Sequence, residues 1–248
     1  MISRTLPRFI TTMATPPLRH RFAPLNPALS ARSTAPKLAG VVFDVDGTLC
    51  EPQTWMFAKM RAALGIAKTI DILDHVYTLA PDMQEAAMES IRSVEREAMV
   101  KMVPQRGLLP LMEYLQKKGV QKAICTRNFD TPVNFLITNF CQGQLFSPIV
   151  TREFRPPKPD PAGILHIANQ WGLQDGGSSL IMVGDSMDDM AAGRRAGAAT
   201  VLLRNDVNGE LAESEMTDCV VDRLDELIEV LEAGFVERDR KAAGAGEG

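Results

Sequence analysis

The sequence predicts an α/β fold: a parallel sheet with helices on both faces and a small helical cap inserted after the first strand. Short apolar runs alternate along most of the chain with segments whose apolar residues recur at helical spacing, an order typical of parallel sheets. The stretch 51–103 breaks this alternation, because it contains helical patterns and no convincing strand. It is too short for an independent domain with a large core, which favours a cap.

The individual elements follow from local patterns. The run 38–43 is apolar and ends at Asp44, as a buried strand would. Asp160 and Pro161 are typical first residues of a helix, as N-cap and first-turn residue. The predicted strands are 38–43, 120–125, 149–150, 180–183, 200–203 and 219–221. The predicted helices are 55–64, 70–79, 82–102, 110–118, 132–140, 160–171, 188–196 and 224–231.

Composition excludes several classes of protein. The chain has 248 residues, of which 45% are hydrophobic and 23% charged, the profile of a globular protein with a real core. The net charge of -4 argues against nucleic-acid binding, and the chain lacks the apolar run of about 18 residues that a membrane span needs. The four cysteines form no C-x-x-C pair, so they indicate reduced thiols and an intracellular protein.

The N-terminal region differs from the rest in composition. No acidic residue precedes Asp44, whereas six basic residues and many Ser, Thr and Pro do. This profile is typical of a mitochondrial transit peptide. The alternatives are a basic tail without an address and a cytoplasmic form begun at Met13. The predicted division is a disordered region 1–37, a core of 38–50 and 104–235, a cap 51–103, and a disordered tail 236–248.

Polar residues cluster where the predicted strands end, the edge at which open parallel sheets bind ligands. Asp44 and Asp46 alternate with Val45, so an extended backbone would point both carboxylates to one side. Asp185 and Asp189 are expected at the same edge. Carboxylates gathered in this way repel one another unless a cation lies among them, and oxygen-only ligands favour Mg²⁺.

Cationic and hydroxyl groups complete the predicted site. Lys158 precedes a helix N-terminus, where backbone N–H groups favour anions, and Thr126 adds a hydroxyl after the second strand. The turn at Arg127 and Asn128 offers further N–H donors. A carboxylate cluster with a metal, faced by an ammonium, a hydroxyl and free amides, suits a phosphoryl group.

These residues resemble the four signature motifs of the haloacid dehalogenase-like (HAD) superfamily. Asp44-Val45-Asp46-Gly47-Thr48 is similar to the first motif, Thr126 to the second, Lys158 to the third, and Gly184-Asp185 through Asp189 to the fourth. The resemblance covers about 38–231, and the helical insertion is similar to the superfamily's C1-type cap. It implies a Rossmann-like core sheet and a required Mg²⁺.

The resemblance also implies roles. Asp44 would be the nucleophile that becomes an aspartyl phosphate, and Asp46 the general acid and base. Mg²⁺ would be held by the Asp44 carboxylate, the Asp46 carbonyl and Asp185, with Asp189 acting through water or as an orienting group. Thr126 and Lys158 would bind phosphoryl oxygens, with help from the backbone at Arg127 and Asn128.

By this resemblance, an acid at position 46 implies hydrolysis of a phosphomonoester. The alternatives are a phosphosugar mutase of the same superfamily and a non-catalytic binding or regulatory protein on this scaffold. The expected partner is a small phosphorylated metabolite, and the sequence does not decide between monomer and homodimer. Trp55, Met56, Met60 and Arg61 either line the underside of the cap or pack its helices. Arg127 and Arg152 either meet a second anionic group or form ion pairs.

Overall fold

A computed structural model describes residues 20–141 and 143–238. Its sheet has six parallel strands in the order β3-β2-β1-β4-β5-β6. The strands are β1 (Gly40–Phe43), β2 (Gln121–Cys125), β3 (Ile149–Val150), β4 (Leu180–Gly184), β5 (Ala199–Leu203) and β6 (Cys219–Val221). The helices are α1 (Pro27–Ser30), α2 (Thr54–Leu64), α3 (Ile72–Thr78), α4 (Pro81–Val100), α5 (Leu108–Lys117), α6 (Asp130–Phe140), α7 (Ala162–Gln170), α8 (Met187–Ala196) and α9 (Glu226–Ala233), with a 3-10 helix at Gly209–Glu213.

Helices cover both faces of the sheet, as the sequence predicts. Val41 and Phe43 pack into one apolar cluster with α5, α6 and α9, whereas Val42 packs into a second cluster with α7 and α8. β1 lies between β2 and β4, so the carboxyl ends of these three strands are neighbours. The observed α7 begins at Ala162, two residues later than predicted. The Asp160 carboxylate still accepts a hydrogen bond from the Ala162 N–H at 2.9 Å.

The cap consists of α2, α3 and α4, which pack around an apolar cluster of their own. Phe129, which precedes α6 of the core, packs against this cluster and joins cap to core. Within the described part of the chain, no helix combines the length and the apolar character needed to cross a bilayer.

The prediction of a disordered region 1–37 is wrong for residues 20–37. Phe22 is buried and packs against Phe235, with ring centroids 5.9 Å apart, and the Leu25 N–H donates to the Leu231 carbonyl at 2.8 Å. The segment is polar on average, but its few apolar side chains fill a groove beside α9. The tail 236–248 is likewise ordered at its start, because Val236 forms a β-bridge with His20. Residues 1–19 of the predicted transit peptide 1–37, and residues 239–248 of the predicted tail, lie outside the described residues.

Phe22→Ala is expected to lower the free energy of unfolding by about 3 kcal/mol, because it opens a cavity where a ring is 1% exposed. Urea denaturation of the full chain measures this. Leu29→Ala is the matched control in the same segment, since Leu29 is 49% exposed and its truncation should cost less than about 0.5 kcal/mol. Equal small losses in both variants would contradict the packing of this segment.

Candidate active site

The loop after β1 turns sharply at the carboxyl edge of the sheet. Asp44 continues the strand pairing, because its N–H donates to a β4 carbonyl at 3.0 Å. The buried Val45 carbonyl then accepts from three successive amides, those of residues 48–50. Gly47 in this turn has a φ of +81°, and a Cβ there would lie 2.0 Å from the Asp185 carboxylate. Glycine therefore allows the loop both its conformation and its close approach to Asp185.

The loop after β4 brings two more carboxylates to the same place. Ser186 is the N-cap of α8 and forms a capping box with Asp189, whose Oδ2 accepts from the Ser186 hydroxyl at 2.6 Å. A Cβ on Gly184 would lie 2.3 Å from the Asp189 Cβ, so the strand and helix meet without room for a side chain. Asp44, Asp185 and Asp189 each offer one carboxylate oxygen, and these oxygens lie within 4.8 Å of one another.

Lys158 is buried between two of these carboxylates. Its Nζ lies 2.7 Å from Asp44 Oδ1 and 2.5 Å from Asp189 Oδ1. Burial alone would lower the pKa of Lys158, but the Asp189 and Asp44 charges outweigh it and raise the pKa. Burial raises the pKa of Asp44 to about 7, with the nearby Lys158 opposing the shift. One ammonium therefore offsets only part of the negative charge in this cluster.

The donor set fits Mg²⁺, because it is made of oxygen atoms from closely spaced carboxylates. Burial, then the charges of Asp44 and Asp189, raise the pKa of Asp185 to about 8, so a bound cation would relieve this repulsion. Asp44 and Asp185 are the carboxylates placed to hold it. Both oxygens of Asp189 are already bonded, one to Lys158 and one to Ser186, which suits the orienting role.

Asp46 lies at the edge of the carboxylate group, and its own carboxyl is not among the three converging ones. The Cys50 thiol faces Asp46 Oδ1 at 3.6 Å. Burial raises the pKa of Asp46, whereas hydrogen bonds from Asn128 and Cys50 oppose the rise. A partly shielded carboxyl of this kind can hold a proton or accept one.

The turn after β2 places its three predicted residues differently. Thr126 and Asn128 are buried at the wall of the site, and the Asn128 N–H donates to the Thr126 hydroxyl at 3.3 Å. The Arg127 guanidinium lies in ion pairs with Asp71 of the cap at 2.7 Å and Asp188 of α8 at 3.0 Å. The alternatives for the Arg127 side chain were contact with a second anionic group and ion pairing, and the structure shows ion pairing. A phosphate-binding role for the backbone here stays a prediction.

A cavity of about 380 Å³ lies between cap and core, over the carboxylates. Met56 and Met60 line it and also pack inside the cap cluster, so both alternatives hold for them. Arg61 lines the cavity as well. Trp55 is not among the lining residues; it lies at the surface beneath Lys101, whose Nζ is 4.8 Å from the ring centroid.

Comparison with known proteins assigns this arrangement to a family. A model of the haloacid dehalogenase-like hydrolases matches residues 38–197. The chain belongs to this family. Among HAD relatives, an uncharacterised hydrolase of Saccharomyces cerevisiae is 48% identical over 201 residues, which cover 79% of this chain and 91% of the yeast protein.

Two further comparisons bear on fold and activity. A phosphoglycolate phosphatase of Pseudomonas savastanoi is 32% identical over 124 residues, which cover 49% of this chain and 45% of that protein. The crystal structure of a HAD hydrolase from Entamoeba histolytica superposes with a TM-score of 0.64 at 16% identity, over 78% of this chain and 97% of that one. The second comparison supports the fold alone.

Two asparagines that sequence reasoning missed hold Asp185 in this HAD hydrolase. Asn205 Nδ2 donates to Asp185 Oδ2 at 3.1 Å, and Asn208 Nδ2 donates to the Asp185 carbonyl at 2.7 Å. Asn208 also accepts from the Asn205 N–H at 2.7 Å. Their position after β5, at the same carboxyl edge, is the signal that would have identified them.

Asn208→Ala is expected to weaken Mg²⁺ binding about 10-fold, because the loop that carries Asp185 loses its support. Titration calorimetry of the full chain with MgCl₂ measures the dissociation constant. Asn139→Ala, in the last turn of α6, is the control that should leave the constant unchanged. An unchanged constant in Asn208→Ala would show that Asp185 needs no such support.

Proposed function

We propose that this HAD hydrolase is a Mg²⁺-dependent phosphatase that hydrolyses a small phosphomonoester through an aspartyl phosphate on Asp44. The observation that carries the proposal is the environment of Asp44. Its carboxylate is buried at the end of β1, 2.7 Å from the Lys158 ammonium and within the oxygen group that fits Mg²⁺. A carboxylate oriented by fixed positive charge, beneath the cavity between cap and core, suits attack on phosphorus.

The reaction has two displacements at phosphorus. A carboxylate oxygen of Asp44 attacks, the bond from phosphorus to the leaving oxygen breaks, and Asp46 gives that oxygen a proton. Asp46 then takes a proton from water, whose oxygen attacks phosphorus and releases phosphate and the Asp44 carboxylate. The same carboxyl serves as acid and then base, so the cycle ends with each group in its starting state.

The remaining residues bind charge. Lys158 neutralises a phosphoryl oxygen, and Thr126 with the amides at Arg127 and Asn128 provides hydrogen bonds to the others. Asp44 and Asp185 would hold Mg²⁺, which when bound would supply positive charge that offsets the repulsion between the phosphoryl group and the nucleophile. The phosphoglycolate phosphatase relative supports hydrolysis of a small ester, and the cavity between cap and core has room for one.

The test compares leaving groups in Asp46→Asn. We expect kcat/KM for glycerol phosphate to fall about 100-fold or more, because an alkoxide needs the proton that Asp46 supplies. For p-nitrophenyl phosphate the fall should be under about 10-fold, because p-nitrophenolate leaves without a proton.

Controls complete this experiment. Both reactions should stop in EDTA and return with added Mg²⁺. Equal losses for the two esters would remove the acid role from Asp46. Failure of the unaltered chain to hydrolyse any ester in Mg²⁺ would refute the phosphatase proposal.

A further inference from the structure

A buried ion pair joins the cap to the core at the cavity wall. Glu95 of α4 and Arg152, which follows β3, are 4% and 5% exposed, and Arg152 Nη2 pairs with Glu95 Oε1. Arg152 Nε donates to the Arg127 carbonyl at 2.9 Å, and its guanidinium lies 3.6 Å from the ring centroid of Phe129. Three contacts therefore hold Arg152 in position: the Glu95 carboxylate, the Arg127 carbonyl and the Phe129 ring.

Each member of the pair keeps one buried polar atom free. Within residues 20–141 and 143–238, Glu95 Oε2 and Arg152 Nη1 have no hydrogen-bond partner. Both residues line the cavity that contains Asp44 and Asp46. A buried charged group left unsatisfied is costly, so a free acceptor and a free donor on two paired residues that line a cavity indicate a ligand group that satisfies both.

The charges of the cavity limit what that ligand can carry. Among the described residues, the lining includes seven carboxyl groups and four basic side chains. Glu95 neutralises Arg152, while Asp71 and Asp188 neutralise Arg127. Burial raises the pKa of Glu95 to about 7, with Arg152 opposing the rise and the Asp46 charge adding to it. A second negative group on the substrate would meet these acids, and among the described lining residues only Arg61 would offer it a cation outside these ion pairs.

We propose that Glu95 Oε2 and Arg152 Nη1 bind a hydroxyl of the leaving group, so that the substrates are phosphomonoesters of neutral polyols. A hydroxyl donates one hydrogen bond and accepts others, and so satisfies both atoms at once. A carboxylate only accepts, and Glu95 would repel it. This inference rests on the proposed phosphatase activity and names its substrate class.

Arg61 is the residue on which the competing substrate class, an ester with an anionic leaving group, would depend. It lines the same cavity from α2, and its Nε donates to the Ile70 carbonyl at 3.4 Å, outside the ion pairs described above. An ester with an anionic leaving group, such as 2-phosphoglycolate, would have to use this residue. The test therefore includes Arg61→Gln.

The experiment measures kcat/KM of the full chain in Mg²⁺ for three esters: glycerol 1-phosphate, propyl phosphate and 2-phosphoglycolate. We expect glycerol 1-phosphate to exceed propyl phosphate about 100-fold and 2-phosphoglycolate to be the poorest. Glu95→Gln should reduce the ratio of glycerol 1-phosphate to propyl phosphate to below about 5-fold. Glu89→Gln, an exposed change on the same helix, should leave the ratio as it is.

A second readout separates this inference from the phosphatase proposal. Asp44→Asn should be stabilised thermally by the three esters in the same order, because binding needs no turnover. Turnover of none of the esters, with that order of stabilisation kept, would refute the phosphatase and leave the hydroxyl subsite standing. A preference for 2-phosphoglycolate that disappears in Arg61→Gln would overturn the inference. Equal values of kcat/KM for glycerol 1-phosphate and propyl phosphate would also overturn it.

Discussion

Asp44→Asn is expected to lower kcat/KM for p-nitrophenyl phosphate by about 10⁴-fold or more, because an amide cannot form the phosphoenzyme. Asp185 and Asp189 cannot replace Asp44 as the nucleophile. Both belong to the same group of converging carboxylates, but neither lies at the end of β1. The measurement is phosphate release by the full chain in saturating Mg²⁺. Asp82→Asn, an exposed change in the first turn of α4, is the matched control and should keep full activity.

The same substitution should leave the metal-free protein as stable as before, or more stable by about 1 kcal/mol. It removes one of three crowded carboxylates that a single ammonium only partly neutralises. Urea denaturation in EDTA measures this. Retained activity would remove the nucleophile assignment, and a large loss of stability would instead mean that activity was lost through unfolding.

Lys158→Met is the second change with a large expected effect. Activity should fall about 10³-fold or more, because no other buried cation contacts Asp44 in the described chain. The metal-free protein should also lose about 3 kcal/mol of unfolding free energy, since Asp44 and Asp189 become buried charges without their ammonium partner. Lys59→Met, at an exposed ion pair of the cap, is the control and should cost under about 0.5 kcal/mol.

A double-mutant cycle decides whether Lys158 acts through Asp44. Asp44→Asn combined with Lys158→Met should be more stable in EDTA than Lys158→Met alone, because it removes one of the uncompensated carboxylates. Mg²⁺ should likewise restore part of the stability of Lys158→Met, as a cation that binds the folded state. Simple additivity of the two changes would contradict the shared electrostatic cluster.

Much of the site was predictable because it depends on local order along the chain. Asp44 and Asp185 follow apolar runs, Asp189 lies in the first turn of the helix after the second of these runs, and the carboxyl ends of parallel strands meet at one edge. The predicted elements differ from the observed ones by at most two residues at either end, apart from the short α1 and the 3-10 helix. Lys158 was predicted by its place before a helix start, and it lies against Asp44.

Other features were not predictable, because they depend on which surfaces meet across long stretches of chain. Phe22 has no periodic neighbours, so its burial against Phe235 could not be inferred. The partners of Arg127 lie 56 and 61 residues away, and only packing of the cap could select ion pairs over an anion.

By itself, the sequence determined the fold class, the cap insertion and the identity of the acidic edge, because strand and helix periodicities and strand-end positions are local properties. Only the tertiary structure decided how the arginines are neutralised and which atoms remain free at the cavity wall. Glu95 and Arg152 illustrate the reason. Each looks like an ordinary surface charge in the sequence, and their burial arises only when α4 closes over the loop after β3.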